Sequence, residues 1–275
     1  MQKTFQHNNA VINYSINGEG TPVVLLHGFG ADATIWSNQA AFLQNQCRLI
    51  IPHFPGSGLS TFTDNENAAS AAEDTPSTLE YYTDCVHALL QQENIESCIM
   101  LGHSMGGYIT LNFAEQYPQF LKGFGLIHSS AFADTDEKKL HRKRSIDLME
   151  SYGVYSFLKN TTPILFSEKF RKEQPEKIME LVEQGNIFTV KALQQYYTAM
   201  MNRPDRTHVL QNSEVPVLFV IGTEDVAAPI SDVLQQVHLP KIAYIHILEG
   251  TGHMGMWEAP DELNNFMLEF IKGII

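Results

Sequence analysis

Cys98-Ile-Met-Leu-Gly-His-Ser-Met-Gly-Gly107 decides the fold. Its first four residues form an unbroken apolar run, which reads as a strand buried on both faces. Met105 to Tyr117 then carries a helical pattern that stops at Pro118. Between strand and helix lies G-x-S-x-G, with Ser104 at the sharp turn. Such a turn projects a serine hydroxyl outward from a strained backbone. Glycines two places either side let strand and helix pack closely, and the helix N-terminus aims free N–H groups at the same point, where they suit a developing negative charge.

Working outward, the chain repeats strand, turn and helix. Residues 3–7 and 10–16 alternate polar and apolar and read as a strand pair. Continuous apolar runs follow at 22–27, 48–51, 123–127, 215–221 and 242–248. Helical spacing recurs at 78–92 and 261–271. Alternating strands and helices predict an α/β fold with a mostly parallel central sheet flanked by helices. Two stretches break the rhythm. Residues 61–77 are polar and aperiodic and read as a surface loop. Residues 132–205 lack a good strand but carry helical patterns at 136–151, 155–159, 175–184 and 189–202. They predict a helical insertion over the carboxyl ends of the sheet, where open α/β sheets bind ligands. The expected organisation is a core domain of residues 1–131 and 206–275 with a cap of residues 132–205.

A lone serine is a poor nucleophile; it needs a base held by an acid, and this turn type requires the order Ser, Asp or Glu, His. Gly222-Thr-Glu-Asp225 follows the strand at 215–221, and Gly250-Thr-Gly-His253 follows the last strand. Asp225 and His253 therefore sit at strand ends on one sheet edge, with Glu224 the local rival for the acid. An oxyanion hole needs two backbone donors. Met105 N–H supplies one, and Phe29 N–H, in His27-Gly-Phe-Gly30, is the candidate for the other.

These four motifs resemble the α/β-hydrolase fold enzymes, over most of the chain outside the insertion. The resemblance implies Ser104 as nucleophile, Asp225 as acid, His253 as base, Phe29 and Met105 as oxyanion donors, and a helical cap. Ile51-Pro-His-Phe-Pro-Gly-Ser-Gly-Leu-Ser60 is similar to the family's D-x-P-G-x-G-x-S turn but departs from it at His53, which puts the polarity of the local wall in question. Serine at 104, rather than aspartate, argues against dehalogenase and epoxide hydrolase chemistry.

The remaining signals are weaker. Gly28-Phe-Gly-Ala-Asp-Ala33 matches a dinucleotide fingerprint, but the next strand ends without an acid for the ribose. Eleven histidines include no H-E-x-x-H and no tight Cys/His cluster, so no metal is expected, and acyl transfer by the triad needs no organic cofactor. His27, His103, Phe132, Met254 and Trp257 are candidate pocket residues. Lys138 to Arg144 is a basic run that reads as a solvated face, or as an attractor of an acidic substrate or carrier. The chain's 18 basic and 31 acidic residues give a net charge of −13, which excludes a global electrostatic reason to bind nucleic acid or anionic membrane. Cys47, Cys85 and Cys98 cannot all pair, and none lies in C-x-x-C. With no apolar leader in the first 15 residues, reduced thiols and a cytoplasmic location are expected.

The expected partner is a small-molecule ester or acyl substrate, cleaved through an acyl-enzyme. The alternatives are C–C bond cleavage, enol-lactone opening or peracid formation by the same triad, and a slow-turnover receptor role. Meta-cleavage hydrolases usually show GNSMGG where this chain has GHSMGG, which weakens the first of these. Oligomeric state is not legible.

Overall fold

Each apolar run becomes a strand, ordered as the alternation predicts. The computed structural model describes residues 1–63 and 77–275. In chain order it contains β1 (Gln2–His7), β2 (Ala10–Asn17), β3 (Pro22–Leu26), α1 (Ser37–Leu43), β4 (Arg48–Pro52), β5 (Thr61–Phe62), α2 (Leu79–Gln92), β6 (Cys98–His103), α3 (Met105–Gln116) and β7 (Leu121–Ile127). After β7 come α4 (Asp136–Thr161), α5 (Glu168–Glu173), α6 (Pro175–Gln184), α7 (Val190–Asn202) and α8 (Thr207–Gln211). The chain closes with β8 (Val217–Gly222), α9 (Ile230–Val233), β9 (Ala243–Leu248), α10 (Gly255–Glu258) and α11 (Pro260–Ile274). Of the stretch expected as a surface loop, Thr61 and Phe62 pair with β2, and residues 64–76 lie outside the described residues.

The sheet runs β1-β2-β4-β3-β6-β7-β8-β9, with β5 on β2. β1, β2 and β4 pair antiparallel, and every pairing from β4 to β9 is parallel. Period-2 geometry sends successive side chains to opposite faces, and here both faces are covered. Val24, Leu26 and Met100 join the core under α2 and α3. Val23, Leu25, Ile99 and Leu101 join the core under α1 and α11. β9 departs from the expected continuous burial. It is the outer strand, and Ile245 and Ile247 are each 44% exposed, because only its other face is covered, where His246 stacks on Phe266 and Tyr244 meets Phe270.

The insertion is helical throughout. The patterns at 136–151 and 155–159 merge into α4, broken only at Gly153, whose φ of 80° an L side chain rarely adopts. α5 was not foreseen, because six residues are too few to show a periodicity. The chain leaves for the insertion and returns at adjoining points. Arg206 N–H donates to Ala131 O at 2.8 Å, and Arg203 Nε donates to Phe132 O at 3.2 Å. All three cysteines are buried and free. No helix among the described residues is long and apolar enough to cross a membrane.

Candidate active site

Ser104 follows β6 directly and caps α3 with φ 52°, ψ −116°, a region that non-glycine residues avoid. The flanking glycines are there for space. A Cβ on Gly102 would run into the carbonyl of Gly106, and one on Gly28 would meet His103 Nδ1 at 2.8 Å and Ser104 Cβ at 3.1 Å. Ser104 N–H donates to Ile127 O at 3.0 Å, so the turn is pinned to the neighbouring strand.

Asp225 and His253 come together across two strand ends. His253 Nδ1 lies 3.0 and 2.9 Å from the two Asp225 carboxylate oxygens. A carboxylate offers only lone pairs, so Nδ1 is the donor of this pair, and Nε2 is the ring nitrogen left free of the carboxylate. Asp225 Oδ1 also accepts from the amides of Ala227 and Ala228, each at 2.8 Å. Burial raises the Asp225 carboxyl, but the adjacent His253 and the hydrogen bonds from His128 and His253 outweigh it and hold the group well below the usual carboxylate range. Glu224 points elsewhere: its carboxylate accepts from Glu168 N–H at the start of α5.

Ser104 and His253 line one cavity of about 370 Å³. Its core-side wall includes Phe29, His103, Tyr108 and Met254, and its opposite wall comes from the insertion. Phe29 stacks on Tyr197 of α7, ring centres 4.0 Å apart and planes 7° apart, joining the two walls. The amides of Phe29 and Met105 have no protein hydrogen-bond partner among the described residues, the state that donors kept for a ligand oxygen require.

Of the expected pocket residues, His103 and Met254 line the cavity, and His27, Phe132 and Trp257 do not. His27 is fully buried as a latch. Phe54 N–H donates to its Nε2 at 3.0 Å, which makes Nε2 an acceptor and leaves Nδ1–H for Gly28 O at 2.9 Å. Burial pushes its imidazole down to about 4, despite the hydrogen bond to Gly28. Phe132 sits at the base of the insertion with its carbonyl on Arg203. Trp257 is directed to Phe166, ring centres 6.5 Å apart. His103 donates from Nε2 to His253 O at 2.9 Å. Burial and the neighbouring imidazoles hold its own imidazole well below the usual histidine range, so it supports the His253 backbone as a neutral ring. His53, at the departure from the family turn, accepts from Ala33 N–H at 3.3 Å and lies 3.8 Å from Asp32.

Sequence reasoning missed two residues. His128, directly after β7, is buried at φ 49° and donates from Nδ1 to Asp225 Oδ2 at 3.2 Å. Asp225 is thus held between two imidazoles. These three residues place one potential ligand atom each within 4.8 Å of one another, and the two imidazoles are hydrogen-bonded to the Asp225 carboxylate through Nδ1. Glu258 collects the amides of Gly252, Met254 and Ser167, fixing the loop on both sides of His253 and tying it to the insertion. His253 N–H donates to Leu165 O at 2.6 Å, a second tie.

The model of the alpha/beta hydrolase fold matches residues 21–260, and the chain belongs to that family. It is 24% identical to (E)-2-((N-methylformamido)methylene)succinate hydrolase of Acinetobacter baylyi, over 99% of this chain and 98% of the relative. It is 27% identical to 2-hydroxy-6-oxo-6-phenylhexa-2,4-dienoate hydrolase of Comamonas testosteroni, over 95% and 91%. Its fold superposes on a thermophilic esterase from Thermogutta terrifontis with a TM-score of 0.90, at 23% identity, covering 100% of this chain and 99% of that one. The protein is an enzyme of the hydrolase class.

Proposed function

We propose that this chain cleaves a carboxylic ester through an acyl-enzyme on Ser104. The observation that carries the reading is a serine at positive φ, on a helix N-terminus, sharing one cavity with a histidine whose far nitrogen is bonded to a buried aspartate. His253 Nε2 takes the Ser104 proton as Oγ attacks the carbonyl. Asp225 holds the imidazole and stabilises its charged form. The Phe29 and Met105 amides receive the oxyanion. His253 returns the proton to the leaving alkoxide, then activates water to release the acid and free Ser104. No step calls on a metal or organic cofactor. Residues 132–205 act as a cap over a core of 1–131 and 206–275, because they furnish the cavity's outer wall. Three buried free thiols fit a reducing compartment such as the cytoplasm.

A p-nitrophenyl ester series from acetate to long acyl chains, with native protein and Ser104→Ala, tests the reading. Activity peaks at one chain length and falls by roughly four orders of magnitude or more in the variant. Activity surviving in Ser104→Ala refutes the assignment. The names of the two curated relatives favour one second reading, C–C or related acyl cleavage by the same residues. Turnover of a vinylogous diketone faster than any ester would select it.

A further inference from the structure

The cavity wall has a charge pattern that ester chemistry alone does not need. The chain carries a net charge of −13, yet among the described residues no Asp or Glu lines the cavity, while Lys138, His141 and Arg142 do. All three belong to α4 at i, i+3 and i+4, one face of one helix.

Arg142 is the centre of the pattern. Its Nε donates to Asp134 Oδ2 at 2.6 Å and its Nη2 lies 3.4 Å from Oδ1. Asp134 is shared: Arg203 Nη1 donates to the same Oδ1 at 2.8 Å. Two guanidinium groups on one carboxylate leave a net positive charge. The remaining nitrogen of Arg142, Nη1, has only the Met200 thioether as a hydrogen-bond partner among the described residues, at 3.8 Å, while the guanidinium lies over the Tyr197 ring, 5.2 Å from its centre; Met200 and Tyr197 both line the cavity. A thioether is a weak acceptor, so a largely buried cationic donor stands without an oxygen. Among the described residues Lys138 reaches only Asp232, at 3.8 Å and half in solvent, a pair too loose to hold it. His141 is exposed and has no protein partner among the described residues.

Resting on the ester-hydrolase reading, we propose that the cavity takes an acyl substrate whose acyl part bears a second, unreacting carboxylate. That carboxylate is held by Arg142 Nη1, with Lys138 drawing it in and the His141 ring N–H a further donor on the same face. A charge-assisted bond completes the guanidinium, and the cationic wall overcomes the repulsion that the rest of an acidic protein imposes on an anion. The chamber is at the small end of ligand sites, roughly 300–1,000 Å³, which fits a short chain between the two carboxyl carbons.

The test compares half-esters with neutral esters of equal length in a pH-stat: monoethyl succinate against ethyl butyrate, and monoethyl adipate against ethyl hexanoate. The ratio of kcat/KM within a pair should favour the half-ester about tenfold or more and shrink with added salt. Arg142→Gln should reduce the ratio about tenfold, and Lys138→Gln and His141→Gln a few-fold each. The latter two lie at the partly exposed end of the wall, so they keep the test open if Arg142→Gln folds poorly. A neutral ester preferred in both pairs, or a ratio unmoved by all three variants, overturns the proposal. Calorimetry of adipate with Ser104→Ala separates this proposal from the nucleophile reading. Binding there that Lys138→Gln weakens supports the cationic wall even if Ser104 is not the nucleophile. No binding there, with activity lost, leaves the nucleophile reading standing and removes this one.

Discussion

His128 offers the sharpest test of how Asp225 is held. Its Nδ1 donates to Asp225 Oδ2 at 3.2 Å, while its Nε2 is buried with no partner among the described residues and its ring edge is close enough to Gly255 to forbid a Cβ there. The residue thus supplies one donor and one block of volume, and two substitutions separate them. Asn places an amide nitrogen where Nδ1 stands and is at home at positive φ; it keeps the donor and loses volume. Leu fills the volume and has no donor. A hydrogen bond to a charged group contributes about 1.5–3 kcal/mol, and at 3.2 Å this one belongs at the lower end. Asp225 retains its two backbone amides and His253, so it stays ionised but less firmly oriented. His128→Leu should therefore lose about 1.5–2 kcal/mol in urea unfolding. Its kcat should fall about tenfold, with KM little changed, well short of the roughly 10⁴-fold that follows when the aspartate itself is disabled. His128→Asn should recover most of kcat while remaining destabilised. If Leu and Asn lower kcat equally, the donor is irrelevant and the role is packing. If both variants match the native rate, the account of Asp225 is wrong.

Two further predictions concern the residues beneath the site. His27 is pushed from 6.5 down to about 4. A folded-state value below the unfolded one contributes stability that is complete above the unfolded value and is lost as pH falls toward the folded one. At about 1.4 kcal/mol per unit, this group alone should cost about 2 kcal/mol between pH 7 and pH 5. Urea unfolding at both pH values, in native protein and His27→Gln, should show the variant's loss smaller by that amount; equal losses would refute it. Glu258→Gln replaces an acceptor of two amides of the His253 loop and one of the insertion with a group half of which is a donor. It should cost about 2 kcal/mol and lower kcat through the His253 loop, and an unaltered kcat would show that the loop does not depend on it.

The fold was legible because strands buried on both faces must be apolar at every position. Val23 to Leu26 and Cys98 to Leu101 show this without ambiguity. The same inference misjudged β9, because an outer strand can be as apolar as an inner one, and it is the uncovered face of this strand that exposes Ile245 and Ile247. Ser104, Asp225 and His253 were legible because parallel order places every strand's carboxyl end on one edge, so chain order becomes proximity. His128 satisfies the same criterion: it is the polar residue that ends the apolar run Gly123 to Ile127. No motif surrounds it, so nothing singled it out. His27 and Trp257 were misjudged for the opposite reason. A residue beside a motif is close in sequence, but its side chain follows local hydrogen bonding, and His27 is turned to the amide of Phe54.

The cationic wall lay between these cases. Read as composition, Lys138 to Arg144 is a run of charge, and a charge run on a helix usually faces water. Read at helical period it divides. Lys138, His141 and Arg142 fall on the stripe that continues through Ser145 and Met149, both buried. Lys139, Lys143 and Arg144 fall away from it. The buried Ser145 and Met149 on that stripe therefore mark which charges of the run lie along the cavity. Their burial fixes the rotation of the helix, and with it which of the charges reach the cavity wall. The cost of turning Arg142 inward is offset by Asp134, at 2.6 Å. The share of that carboxylate taken by Arg203 leaves the wall positive rather than neutral. A single acid between two arginines, eight residues before one and far before the other, is a pattern that sequence contains but only the folded insertion makes meaningful.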